Sequence, residues 1–124
     1  MRIWFDGAAR VLGVIGYPVK HSLSPLMHNY LFSRYRLNCI YVPVEVKPRD
    51  LKYFVQMMRK FDWLGINVTI PHKERIIGYL DRVDEYAKVV GAVNTVVNRK
   101  GELRGYNTDG EGFMRSLHED LRFD

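Results

Sequence analysis

The sequence carries a single cysteine, Cys39, among its 124 residues. No intramolecular disulfide can form, which fits a reducing compartment and an expected cytoplasmic location. No stretch approaches the ~18 consecutive apolar residues of a membrane span. Met1–Asp6 holds one arginine and no long apolar h-region, so it does not read as a secretory signal. The four histidines, His21, His28, His72 and His118, lack paired metal-ligand spacing, and no metal centre is expected. A Gly-x-x-x-x-Gly-Lys phosphate loop is missing. Gly110-Glu111-Gly112 begins like a dinucleotide fingerprint, but Arg115 stands at the third required position.

A concentrated basic arm is missing as well. Lys plus Arg number 19 against 14 Asp plus Glu, a formal charge of +5. Such a field attracts anions in general. The densest pairs, Arg34 with Arg36 and Arg99 with Lys100, are broken by apolar and turn residues. No nucleic-acid partner is expected, and small carboxylates or phosphates remain.

What is present suits one compact domain. The composition is 47% hydrophobic and 27% charged, unlike a disordered chain. A chain of this length holds a substrate domain or a doubly wound nucleotide domain, hardly both.

Two apolar runs, Met1–Phe5 and Val11–Gly16, flank Asp6-Gly7 and read as a hairpin. The second run lacks polar alternation and predicts a buried strand. Pro25 opens a helix to about Tyr35 with Ser24 as N-cap, and Leu26, Tyr30 and Leu31 fall near one face. Ile40–Val46 reads as a strand whose Pro43 points to a sheet edge or bulge. Arg49–Phe61 is an amphipathic helix with Leu51, Phe54, Val55 and Met58 on its apolar stripe. Leu64–Ile70 is a strand ended by Pro71. Short helical stretches follow at 74–80 and 85–90, the second closed by Gly91. Ala92–Asn98 and Leu103–Tyr106 form a hairpin across Arg99-Lys100-Gly101, and Asp109–Leu121 reads as a last helix. The alternation predicts an α/β protein, a three-layer α/β/α arrangement with a mixed, mainly parallel sheet.

Three polar segments follow or end apolar strands, where open α/β sheets bind ligands. Ser22 and Ser24 place two hydroxyls beside a helix N-terminus, a setting for a carboxylate or phosphate; helix capping and solvation explain them equally well. Asn67 and Thr69 share one face of a strand that leads through Pro71 to Lys73. Asn94-Thr95 and Asn107-Thr108-Asp109 lie at one end of the late hairpin, where Asp109 can pair with Lys73 or simply cap a helix. His72 reads as a positioning or surface neighbour of Lys73, His28 as structural or exposed, and Cys39 as a core residue.

Taken together, V-I-G-Y-P-V-K-H-S-L-S-P-L-M-H-N (14–29), G-I-N-V-T-I-P-H-K (65–73), G-A-V-N-T-V (91–96) and G-Y-N-T-D-G (105–110) resemble the N-terminal, substrate-binding domain of the shikimate/quinate dehydrogenase family. The resemblance runs from about Val11 to Leu121. It implies NADPH-dependent reduction of 3-dehydroshikimate to shikimate, in aromatic amino-acid biosynthesis. It also implies that Ser22 and Ser24 bind the substrate carboxylate. Asn67, Thr69, Asn94 and Asp109 would hold the ring hydroxyls and carbonyl, with Lys73 beside them and Lys73 and Asp109 as the catalytic pair. The NADP(H) domain of that family has no counterpart in these residues, so the chain alone is expected to bind substrate weakly without turnover. Self-association as a homodimer is an open expectation. The alternative is a stand-alone shikimate- or quinate-binding sensor without redox activity.

Overall fold

A computed structural model describes residues 5–109. It contains β1 (Arg10–Gly16), α1 (Ser24–Arg34), β2 (Cys39–Glu45), α2 (Leu51–Lys60), β3 (Gly65–Val68), β4 (Arg82–Val83), α3 (Glu85–Val90), β5 (Thr95–Arg99) and β6 (Glu102–Tyr106). The six strands form one mixed sheet in the order β2-β1-β3-β5-β6-β4. β1 is parallel to both β2 and β3, β5 runs antiparallel to β3 and β6, and β4 is parallel to β6.

β1 sits inside the sheet because Val-Leu-Gly-Val-Ile has no polar position to offer solvent. This corrects the hairpin expected at the N-terminus. Asp6-Gly7-Ala8 does turn, but Phe5 is not in a strand, and both edges of β1 are filled by parallel neighbours. Met1–Trp4 lie outside the described residues. β2 is an edge strand, which suits Pro43 because no ladder bond is asked of its nitrogen. The open edge at Tyr41 is closed by Asn29 of α1, which accepts from the Tyr41 N–H at 2.9 Å and donates to its carbonyl at 2.8 Å.

α2 packs on one face. Leu51, Phe54, Val55 and Met58 are buried there, as the stripe predicts, against Ile15, Ile66, Val68, Val96 and Leu103 of the sheet. Each such side chain contributes about 1.5–3 kcal/mol by leaving water. A smaller cluster of Val14, Val19 and Tyr41, with Leu12 and Phe32, forms on the other face under α1. Buried Asn98 is satisfied within the first core: its Nδ2 donates to the Met58 carbonyl, and its Oδ1 accepts from the Gly101 N–H.

α1 departs from expectation in two ways. Leu23, not Ser24, is its N-cap, and no side chain caps it. Ser24 is the first helical residue, and its N–H donates to Ser22 Oγ at 3.2 Å. The apolar residues Leu26, Tyr30 and Leu31 face outward and are exposed. His28, Asn29 and Phe32 face the sheet instead, because the Tyr41 edge needs hydrogen bonds there as well as apolar contact.

The predicted stretch 74–80 is a 3₁₀ helix over Arg75–Tyr79, and the two-residue strand β4 had no signal in the sequence. α3 is capped by Asp84, whose carboxylate accepts the Tyr86 N–H, and ends at Gly91 in the left-handed region. The β5–β6 hairpin turns on Lys100 and Gly101, both at positive φ. That is the two-residue turn whose twist matches the strands, and Gly101 adopts it without side-chain strain. The helix expected over Asp109–Leu121 lies outside the described residues beyond Asp109 itself.

Candidate functional site

The parallel strands β1 and β3 end side by side, and a cleft of about 510 Å³ opens beyond them. Ser22, Ser24, Asn67, Thr69, Lys73, Asn94 and Asp109 all line it, so every candidate from the sequence faces one space. Val14, Pro18, Val19, Lys20, His21, Val68 and Ile70 complete the wall. Lys20 had carried no signal, because one exposed lysine in a loop looks like any surface charge.

Local structure explains the convergence. Gly16 ends β1 where a Cβ would strike the Thr69 methyl, so only glycine lets the two chain segments come this close. The Tyr17 N–H then donates to the Ile70 carbonyl at 3.0 Å, and the Thr69 N–H to the Ile15 carbonyl at 2.9 Å. These bonds fix the start of the serine loop against the end of β3. Ser22 stands on the loop between β1 and α1, its N–H turned back onto the Val19 carbonyl at 3.1 Å, and Ser24 opens α1.

Lys73 follows a turn held from below. His72 is fully buried in the main core, where its Nε2 meets the Val46 carbonyl. It is therefore a positioning residue for the turn and not a surface one. The Lys73 carbonyl accepts from the Val93 N–H at 2.8 Å, which ties this turn to the segment bearing Asn94.

Lys73 Nζ donates to Asp109 Oδ2 at 2.9 Å. The other carboxylate oxygen, Oδ1, accepts from Asn94 Nδ2 at 2.8 Å. The Lys73 hydrogen bond, aided by Asn94 and by the ammonium charge, holds the Asp109 carboxyl below its ordinary range, against the opposing effect of burial. Asn94 is itself fixed: its Oδ1 accepts from the Thr108 N–H at 3.0 Å, while its Nδ2 also reaches Thr108 Oγ1 at 3.0 Å.

The arrangement combines two hydroxyls at one end with an ammonium–carboxylate pair at the other. Neutral amide and hydroxyl groups lie between them. Such a set suits a small polyhydroxylated acid. The loops leading from β1 to α1 and from β3 onward have no glycine-rich strand-to-helix turn, so these residues do not fit a dinucleotide.

Residues 14–96 match a family model described as the shikimate dehydrogenase substrate binding domain. The chain belongs to this family. It is 56% identical over 117 residues to the shikimate dehydrogenase (NADP(+)) of Geobacter metallireducens, covering 94% of the chain and 41% of that relative. It superposes with a TM-score of 0.93 on the crystal structure of shikimate 5-dehydrogenase from Listeria monocytogenes in complex with shikimate and NAD, at 42% identity, covering 100% of this chain and 43% of that one. It also resembles the ligand-free 5-ketofructose reductase of a Gluconobacter strain, with a TM-score of 0.87 and 32% identity over 90% of this chain and 40% of that one. The chain spans about two-fifths of the length of the curated relatives it matches.

The comparisons bear out the family read from the four motifs. Tyr41 carried no signal separating it from ordinary strand residues, and Thr95 had been noted only within the polar Asn94-Thr95 segment; neither lines the cleft.

Proposed function

We propose that this chain is the substrate-binding part of a shikimate dehydrogenase, with Ser22 and Ser24 holding the carboxylate and Asn67, Thr69 and Asn94 the ring substituents. Lys73 and Asp109 act at the carbon that changes between ketone and alcohol. NADPH supplies the hydride when bound, through residues outside those described here. The observation that carries this reading is the Lys73–Asp109–Asn94 cluster facing the two serines across one cleft.

The chemistry follows from charge. Reduction of a ketone builds negative charge on its oxygen. An ammonium group at that oxygen stabilises the charge and donates the proton. Asp109 orients the Lys73 ammonium, and the neutral amides around the ring discriminate by leaving a partner unpaired when a hydroxyl is missing. The same reading takes the fold as a three-layer α/β/α sandwich in a cytoplasmic enzyme; the opposite sheet faces taken by α1 and α2 support the layering.

Self-association belongs to the proposal. The outer face of α1 exposes Leu26, Met27, Tyr30 and Leu31, with Leu23 and Tyr35 at its ends. A second copy packed on the same face across a two-fold axis covers it, because an apolar surface with one charge, Arg34, is self-complementary. Sedimentation over a range of concentrations tests this, and a strictly monomeric chain sinks it.

The substrate assignment is tested by calorimetric titration of the 124-residue chain with shikimate and with a carboxylate-free analogue. Binding is expected for shikimate and not for the analogue. Equal affinity for both removes the carboxylate role of the serines. The 5-ketofructose reductase likeness favours a second reading, a neutral ketose in the same cleft. Titration with 5-ketofructose separates the two, since a ketose offers no anion to the serine loop. Formation of reduced cofactor by the isolated chain with shikimate and NADP overturns the division of labour.

A further inference from the structure

The cleft residues are joined behind its wall by a continuous chain of hydrogen bonds, and its direction is fixed from one end. A backbone N–H only donates and an ionised carboxylate only accepts. Asn94 Oδ1 accepts from the Thr108 N–H, so Asn94 Nδ2 must face Asp109. Thr95 Oγ1 lies 3.1 Å from the same Asn94 Oδ1 and therefore donates to it. That leaves the Thr95 oxygen to accept from Asn67 Nδ2, at 3.4 Å. Asn67 Oδ1 is thereby turned toward β2, where it accepts from the Tyr41 hydroxyl at 2.7 Å. Every bond points from Tyr41 toward Asp109.

The register of the sheet makes this possible. Asn67 and Thr95 are directly opposed in the antiparallel β3–β5 pair. Tyr41 is only 3% exposed, its ring stacks on His28 at a centroid distance of 4.3 Å, and Asn29 holds its backbone. Burial pushes its hydroxyl up to about 12, so it stays a neutral donor at any working pH. Neither Tyr41 nor Thr95 lines the cleft.

We propose that Tyr41 is a positioning residue, with Thr95 as its continuation: the Tyr41 hydroxyl fixes the orientation of the Asn67 amide and, through Thr95, that of the Asn94 amide that holds Asp109 and Lys73. This deepens the proposed function and rests on it.

The test measures shikimate affinity of the full 124-residue chain by calorimetry, and the side-chain amide NMR signals of Asn67 and Asn94 without ligand. Tyr41→Phe is expected to weaken binding roughly tenfold, the scale for leaving a partner group unpaired. It is also expected to move both amide signals. Thr95→Val weakens binding about threefold, whereas Thr95→Ser, which keeps the hydroxyl, retains parent affinity. Parent affinity in Tyr41→Phe overturns the proposal, as do unmoved Asn67 and Asn94 signals. If the parent chain does not bind shikimate at all, the functional reading fails, and the amide signals alone decide the role of Tyr41. If Tyr41→Phe does not fold, the contrast between Thr95→Val and Thr95→Ser decides.

Discussion

The two faces of the sheet are built from the same strands and do different work. On the α2 face, Ile15, Ile66, Val68, Val96 and Leu103 meet Leu51, Phe54, Val55 and Met58 in a water-free core. On the α1 face, Tyr41, Asn67 and Thr95 meet through hydrogen bonds at the level of the cleft. In β3, Asn67 stands between Ile66 and Val68, and in β5, Thr95 is followed by Val96. A strand places neighbours on opposite faces, so one residue's step separates a packing contact from a recognition contact. Stability and binding should therefore be separable by mutation.

The largest effect is expected in the core. Met58→Ala removes a side chain with no exposed surface and should destabilise the chain by about 2–5 kcal/mol, read from denaturant unfolding. The affinity of the molecules that remain folded should be unchanged. A fall in stability below about 1 kcal/mol would show that the α2 face is not the main core. On the other face, Lys73→Met should leave the unfolding midpoint nearly unmoved, because its ion pair with Asp109 is partly exposed. It should lower shikimate affinity by roughly ten- to a hundredfold, the range for a lost charge-assisted hydrogen bond. A large stability loss with intact binding would break the contrast between the faces.

A smaller effect is expected from Ser22→Ala combined with Ser24→Ala. Binding should weaken about tenfold for shikimate while stability falls by no more than about 1 kcal/mol, the scale of the one Ser24 N–H bond to Ser22 Oγ that is lost at the start of α1. A larger drop in stability instead would restore the capping role.

The smallest effect is on pH dependence. The Asp109 carboxyl is lowered from 3.8 in the folded chain, so its ion pair contributes stability above that value and loses it as pH falls through the lower folded value. Asp109→Asn should remove this small contribution at pH 7 and flatten the acid limb, so that the two stability–pH curves differ near neutrality and converge as pH falls. Identical curves from about pH 5 to 7 would mean that the carboxylate gains nothing from Lys73.

Much of this was legible in the chain. The Leu51, Phe54, Val55, Met58 stripe gave the inner face of α2 because a helical period admits one solution. Lys100-Gly101 gave the late hairpin because few residue pairs accept positive φ twice in succession. The site was legible as residues but not as an arrangement. The exception is the Lys73–Asp109 pair, 36 positions apart, which their shared place at strand ends had already suggested; the links from Tyr41 through Asn67 and Thr95 to Asn94 had no such signal. α1 misled, since Leu26, Tyr30 and Leu31 suggest an inward face, and only the exposed backbone edge at Tyr41 explains why Asn29 and His28 took it. Asp6-Gly7 misled in a similar way, because a turn signal cannot reveal that both edges of its following strand are already paired.

The sequence by itself determined most of the strands and helices, which side chains are available for chemistry, and which family the chain belongs to, because these depend on local sterics, periodicity and motif order. Only the tertiary structure decided that Asn67 opposes Thr95, that the Tyr41 hydroxyl donates to Asn67, and that α1 turns its polar face inward. Strand register and edge occupancy are properties of pairs of segments, and no single segment carries them.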